Sequence, residues 1–241
     1  MTYLEKIQEP EYSIPKNYFT ESRPIHPVSS LVAFGVAEIY VRSGAGAELT
    51  IAAEYKEDLA MIKTKLDRDS LEVGTTPLVM TTKSGTMHFH GSIGSISGGT
   101  VFVNGVQISP NGANISALKG RVVVGVVVPA LETVSLTGST DITILDIEQE
   151  RMTVKVSGAG NVRANGRVTY LNAKISGAGA VKGKNLIADQ ADLKVSGAGK
   201  IKVFVSEKVD AKVSGVGSIT VLGNPPHRQK NVSGVGSVKF K

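Results

Sequence analysis

Apolar and polar positions alternate through residues 155–240, in short runs on either side of a recurring tetrapeptide. Ser-Gly-Ala/Val-Gly starts at Ser157, Ser176, Ser196, Ser214 and Ser233. A β-branched residue precedes each serine (Val156, Ile175, Val195, Val213, Val232), and another lies five residues after it (Val162, Val181, Ile201, Ile219, Val238). Two positions before the serine stand Lys155, Lys174, Lys194 and Lys212; six positions after it stand Arg163, Lys182, Lys202, Thr220 and Lys239. Successive side chains of a strand point to opposite faces, so this period of two predicts strands with valine and isoleucine inward and lysine outward. A helical period does not fit the same residues.

The tetrapeptides lie 19, 20, 18 and 19 residues apart. A short motif at such a period marks a solenoid, in which each repeat is one rung stacked on the next. At about 3.3 Å per residue a rung traces roughly 60 Å, which suits a narrow three-sided coil, and successive rungs pair in parallel about 4.8 Å apart. Each Gly-x-Gly is expected to turn a corner that needs glycine backbone freedom. The residue between the glycines (Ala159, Ala178, Ala198, Val216, Val235) is expected to point inward, and the serines to stack as a hydroxyl ladder. The remaining stretch of each rung varies in length and is expected to carry loops. Pro225 and Pro226 lie in it; having no N–H to donate, they are expected to bulge outward.

The first half divides less regularly. Residues 1–27 hold four of the nine prolines and read as an extended arm that docks on the coil or a neighbour, or else as a loose tail. Residues 28–121 read as a β-rich section: two or three strands over 28–53, a short helix near 55–63, strands over 65–73 and 79–82, and a Gly/Ser-rich hairpin or flap over 84–114. Residues 122–241 read as the repeat section, with one continuous domain over 28–241 as the alternative. Thr137-Gly138-Ser139, 20 residues before Ser157, looks like a degenerate corner. An all-β fold follows, a parallel β-helix-like solenoid with rungs of 18–20 residues behind a β-rich N-terminal section.

Composition agrees with this. The chain has 27 glycines, 5% aromatic residues, no tryptophan and no cysteine. Thiolate chemistry and disulfides are thereby excluded. No apolar run is long enough for a membrane-spanning helix, and Met1–Pro27 lacks the apolar core of a secretory leader. The net charge of +6 conceals an asymmetry: residues 151–241 carry sixteen basic and four acidic residues, and residues 1–150 eleven basic and seventeen acidic. The basic excess falls on the repeats, in register.

Val122-Val-Val-Gly-Val-Val-Val-Pro-Ala-Leu131, then Ser135-Leu-Thr-Gly138, then the repeated Ser-Gly-Ala-Gly-x-Val resemble the bacterial putative auto-transporter adhesin head domain family, the GIN-domain type common in Bacteroidetes. Ile39-Tyr-Val41, Leu49-Thr-Ile51 and Leu71-Glu-Val73 fit upstream, so the resemblance spans about residues 28–241. It implies a right-handed parallel β-helix-like stack with a β-rich opening section, and an exported, surface-located protein. It carries no catalytic residues over. The leader or lipobox cysteine of exported relatives is not visible in this chain.

Two readings of function follow. In the first, the lysine ladders (Lys155, Lys174, Lys194, Lys212, with Arg163, Lys182, Lys202, Lys239) form a non-catalytic adhesin-like face for acidic polysaccharide or a surface polymer; the bland alternative is a solubilising surface, since edge lysines also discourage sheet aggregation. In the second, Asp192 and Asp210 stack on consecutive rungs four positions before their serines and serve a pectinase-like hydrolase or lyase; neutralisation of nearby lysines explains the same pair. Paired carboxylates at this spacing also suit Ca²⁺. His88 and His90 share a strand face but lack a third ligand, so no metal is expected. Gly177-Ala-Gly179 with Gly183 has neither the spacing nor the helix of a dinucleotide loop, so no cofactor is expected. Nucleic acid is not expected either: the charge has the right sign, but no motif or interleaved aromatics accompany it. The coil's last rung presents a bare strand edge, expected to be covered by the arm or by a second copy.

Overall fold

A computed structural model of the chain describes residues 14–35, 37–75 and 118–241 with their side chains, and six strands between 78 and 116 by their backbone. The chain opens with β1 (Phe19–Arg23), β2 (Ser30–Gly35), β3 (Glu38–Ser43) and β4 (Glu48–Ala53). A 3-10 turn at Lys56–Met61 leads into the hairpin of β5 (Ile62–Asp67) and β6 (Ser70–Thr75). Next come β7 (Leu78–Thr82), β8 (Gly85–Phe89), β9 (Ile93–Ser97), β10 (Thr100–Val103), β11 (Val106–Ile108) and β12 (Asn114–Ser116). They make two antiparallel three-stranded sheets, one of β12, β7 and β8, the other of β11, β10 and β9. The solenoid follows as β13 (Val122–Val128), β14 (Thr133–Gly138), β15 (Asp141–Val156), β16 (Asn161–Ile175), β17 (Ala180–Val195), β18 (Lys200–Val213), β19 (Ser218–Leu222), β20 (His227–Val232) and β21 (Ser237–Phe240).

Together with β1 to β6 these strands form one sheet of fifteen, coiled as a β-solenoid of about five turns. From β14 onward successive rungs pair in parallel, as the repeat period predicts. The opening strands belong to the same stack. β2 pairs in parallel with β14 and with β6, and β3 pairs in parallel with β13 and with the first half of β15. One inward column therefore runs through Val73, Ala33, Leu136, Val156, Ile175, Val195 and Val213, all buried. A second runs through Ile39, Ile142, Val162, Val181, Ile201 and Ile219. Burial of these columns is the main source of stability, because each branched side chain removed from water contributes about 1.5–3 kcal/mol.

The corners depart from the sequence expectation. The small residue between the glycines points outward: Ala159, Ala178 and Ala198 are exposed, Val216 is 66% exposed and Val235 86%. The glycines themselves face the preceding rung. A Cβ on Gly158 would stand 2.0 Å from the Gly138 carbonyl oxygen, one on Gly177 2.2 Å from that of Gly158, and one on Gly197 2.3 Å from that of Gly177. Close backbone approach, rather than left-handed backbone angles, is what fixes glycine here; within the five tetrapeptides only Gly234 has a positive φ. The serines stack rung on rung, and two of their hydroxyls turn back to the backbone. The Ser157 hydroxyl donates to the Leu136 carbonyl at 2.9 Å and that of Ser196 to Ile175 at 3.4 Å, so each ties its corner to the backbone one rung back.

The variable stretches are strand rather than loop in three rungs. β16, β17 and β18 run unbroken from corner to corner, and differences in rung length are absorbed by register shifts between Arg163 and Asn165, Gly183 and Ile187, and Ala188 and Gln190. Only the last turn is interrupted, between β19 and β20. There Pro225 is buried and Pro226 exposed, so the pair does not bulge outward as a unit. The degenerate corner at Gly138 is real: it receives Ala159 N–H at 2.8 Å and stacks on a further corner at Gly35.

Where the chain returns from residues 76–117, a buried carboxylate fixes it. Asp58 accepts the Lys119 N–H at 3.0 Å and the Gly120 N–H at 2.9 Å. Asp58→Ala strands these donors and is expected to cost about 2 kcal/mol, since hydrogen bonds to charged groups contribute roughly 1.5–3. A fall in the urea midpoint with an unchanged m-value checks this.

The two ends of the stack differ. At the N-terminal end β5, antiparallel to β6, and β1, antiparallel to β4, are the outermost strands. At the C-terminal end β20 breaks the inward pattern. Arg228 continues the column of Leu171, Ala191 and Val209, and Lys230 that of Ala173, Leu193 and Ala211. The Arg228 guanidinium lies 5.4 Å from the Phe240 ring centroid and donates to Asn224 Oδ1 at 2.9 Å. Charges in inward columns discourage a further strand from adding. The described part of the arm lies elsewhere, on β4.

Candidate functional site

Parallel pairing with no net register drift places equivalent side chains directly above one another. Lys155 pairs with Lys174, Lys174 with Lys194, and Lys194 with Lys212, after which Asn231 ends the column. On the adjoining side, past the glycine corner, Arg163 pairs with Lys182, Lys182 with Lys202, Lys202 with Thr220 and Thr220 with Lys239. The corner column of alanines and valines runs between the two. Seven of the eight cations are exposed, and Arg163 is half-buried.

Two of the eight are paired within the chain. Lys212 Nζ contacts Asp210 Oδ2 at 2.7 Å, and Arg163 Nη1 contacts Asp141 Oδ2 at 3.3 Å. Among the described residues no ion pair joins Lys155, Lys174, Lys194, Lys182, Lys202 or Lys239 to an acid. Stacked like charges at a strand spacing of about 4.8 Å repel one another. Hydration and screening over about 8 Å at physiological salt reduce that cost, and an external polyanion would reverse its sign.

Asp192 and Asp210 stand in register, as their spacing predicts, with Asn172 before them and Gln229 after. Each is engaged. The Tyr170 hydroxyl donates to Asp192 Oδ2, and Arg151 covers the Tyr170 ring at 5.8 Å. Asp210 binds Lys212 through Oδ2, while its Oδ1 is buried without a partner. The hydrogen bond to Asp192 holds the Tyr170 phenol above its ordinary range, assisted by burial and the Asp192 charge. The hydrogen bond to Asp210 raises Lys212, and the charges of Asp210 and Asp192 add to it. Both groups thus stay protonated through neutral pH. What they contribute to stability is complete below their unfolded-state values and fades only as pH climbs through the higher folded ones.

A shallow hollow of about 150 Å³, lined by Tyr40, Arg42, Glu48, Thr50 and Val127 among others, lies on the N-terminal strands and not beside this carboxylate pair. Among the described residues no three acids and histidines gather around a metal-sized space. His88 sits on β8 opposite Val79 of β7; His90 lies outside the described residues. Gly177 and Gly179 belong to a rung corner and Gly183 to β17.

Sequence reasoning missed Tyr170 and Arg151. They lie in one outward column, Arg151–Tyr170–Gln190–Lys208–His227, whose varied composition hides it.

The family model described as putative auto-transporter adhesin, head GIN domain, matches residues 29–225. Among solved structures, a putative adhesin from Bacteroides fragilis is 19% identical over 95% of this chain and 99% of its own, with a TM-score of 0.65. A putative lipid binding protein from Parabacteroides distasonis is 17% identical over 94% of this chain and 97% of its own, with a TM-score of 0.50. At these identities the likeness is one of fold. No curated protein matches the chain.

Proposed function

The chain belongs to the putative auto-transporter adhesin head GIN domain family, and on that footing we propose that it is a non-catalytic, adhesin-like binding module whose basic repeat face docks acidic polysaccharide or a comparable anionic surface polymer. The carrying observation is the register of Lys155, Lys174, Lys194 and Lys212, three of which have no acidic partner among the described residues. Cations repeat about every 4.8 Å along the stack, so one extended polyanion can meet several of them at once. Each contact is weak and solvent-exposed, so binding rests on their number. Lysine offers a point charge rather than a shaped fork, and the strip reads charge density more than sugar identity. The second ladder, Arg163, Lys182, Lys202 and Lys239, widens the basic surface on the other side of the corner.

The engagement of Asp192 with Tyr170 and of Asp210 with Lys212 supports a structural role for this pair over a pectinase-like one. Glycan-array binding of the wild type and of Lys155/Lys174/Lys194/Lys212→Gln, at low and at physiological salt, tests the reading. The wild type is expected to select acidic glycans, to lose them steeply as salt rises, and to lose at least tenfold with the four lysines removed. Equal binding by the two proteins would leave the ladder a solubilising surface.

A further inference from the structure

Three of the large exposed hydrophobic residues among the described residues gather on the last two rungs: Val216 at 66%, Val235 at 86% and Val232 at 40% exposure. Val216 and Val235 occupy the same corner position on consecutive rungs, so their side chains stand about one strand spacing apart. The corresponding positions further back are alanines, so the apolar bulk is concentrated at the C-terminal tip. At such exposure both valines project from the corner. The same last rung carries Lys230 on β20, Lys239 on β21 and Lys241 just after it, exposed and joined to no acid among the described residues. Arg228 is held over Phe240 just behind.

We infer that this tip is a docking point for an anionic lipid bilayer, with Val216 and Val235 entering the headgroup layer and the lysines meeting lipid phosphates. Binding to such an interface grows with buried apolar area and with attraction between basic residues and anionic lipid. The tip joins both on a projecting edge, which a deformable layer accommodates. Charge argues against a second copy as the occupant: tail-to-tail contact would bring two sets of Lys230, Lys239 and Lys241 together, and the inward Arg228 and Lys230 obstruct an added strand. The inference does not rest on the ladder reading, since Val216, Val235, Lys230 and Lys241 belong to neither ladder.

Co-sedimentation of the full chain with phosphatidylcholine vesicles, and with vesicles of equal parts phosphatidylcholine and phosphatidylglycerol, tests it. The wild type is expected to partition onto the mixed vesicles and not the neutral ones. Val216→Ser/Val235→Ser, altering exposed positions only, is expected to lower partitioning about tenfold while leaving binding to soluble polygalacturonate unchanged. Lys230→Gln/Lys241→Gln is expected to lower partitioning roughly twenty-five-fold, about fivefold for each cation near the surface. No partitioning onto mixed vesicles, partitioning equal for the wild type and the valine variant, or equal uptake by neutral vesicles overturns the inference. A wild-type dimer in light scattering that the valine variant abolishes would assign the tip to a second copy instead.

Discussion

Val195→Asp is expected to remove a large part of the chain's stability. Val195 is fully buried in an inward column, between Ile175 and Val213. An aspartate there either stays charged in a medium of low polarity or takes up a proton, and neither state finds a hydrogen-bond partner among the surrounding methyl groups. The loss of packing adds to this, for a total of at least about 4–5 kcal/mol, against a typical stability of about 5–15 kcal/mol. One residue away, Lys194→Asp alters an exposed side chain and is expected to change stability by roughly 0.5 kcal/mol or less. Urea unfolding followed by far-ultraviolet circular dichroism separates the two. Comparable losses would show that residues 194 and 195 do not face opposite sides of a sheet.

Gly177→Ala is expected to cost about 3 kcal/mol for the addition of a single methyl group. The added carbon would stand 2.2 Å from the Gly158 carbonyl oxygen and 3.1 Å from that of Ser157, both backbone atoms of the preceding rung. Relief requires the rungs to separate, which strains pairing on both sides of the corner, at the upper end of the usual overpacking cost of about 1–3 kcal/mol. The neighbouring Ala178→Ser adds one atom at an exposed position and is expected to be neutral. Thermal unfolding of the two variants gives the comparison. A neutral Gly177→Ala would mean that the corners are not stacked this closely.

These two variants also mark what the sequence could and could not reveal. The inward position of Val195 and the outward position of Lys194 were readable, because a period of two was locked to a period of about nineteen and no other architecture satisfies both. The corner was not. Alternation says nothing about which residue faces inward where two glycines interrupt it, and Ala159, Ala178 and Ala198 gave the wrong answer. The deciding fact is the distance between one rung's Cβ position and the previous rung's carbonyl, which exists only once the rungs are stacked. Asp58 escaped for a related reason: its partners lie more than sixty residues along the chain. The corner at Gly35 lacks the tetrapeptide, so the solenoid begins earlier than the repeats suggest.

The C-terminal cap had a signal that went unread. Five positions before the serine stand Met152, Leu171, Ala191 and Val209, then Arg228; three positions before it stand Val154, Ala173, Leu193 and Ala211, then Lys230. Inward positions that become charged only in the last copy mark the end of a stack. Of the candidate binding residues, both ladders were readable to the residue, since a lysine at a fixed offset in a parallel solenoid must stack on its counterpart. Lys212 stands two residues from Asp210 on one strand face, so its neutralisation was readable, whereas Arg163 meets Asp141 across the rung boundary, which required the pairing of β15 with β16.

Binding by the ladder depends on the order of the cations rather than on their number. The direct measurement is polygalacturonate binding as a function of salt for three proteins: the wild type, Lys155/Lys174/Lys194/Lys212→Gln, and Lys56/Lys63/Lys65/Lys119→Gln, which removes equal charge from exposed positions of the N-terminal section. The predicted result is a steep salt dependence for the wild type, at least a tenfold loss in the ladder variant with a shallower slope, and near wild-type behaviour in the N-terminal variant. Equal losses in the two variants would contradict it, reducing the ladder to bulk charge.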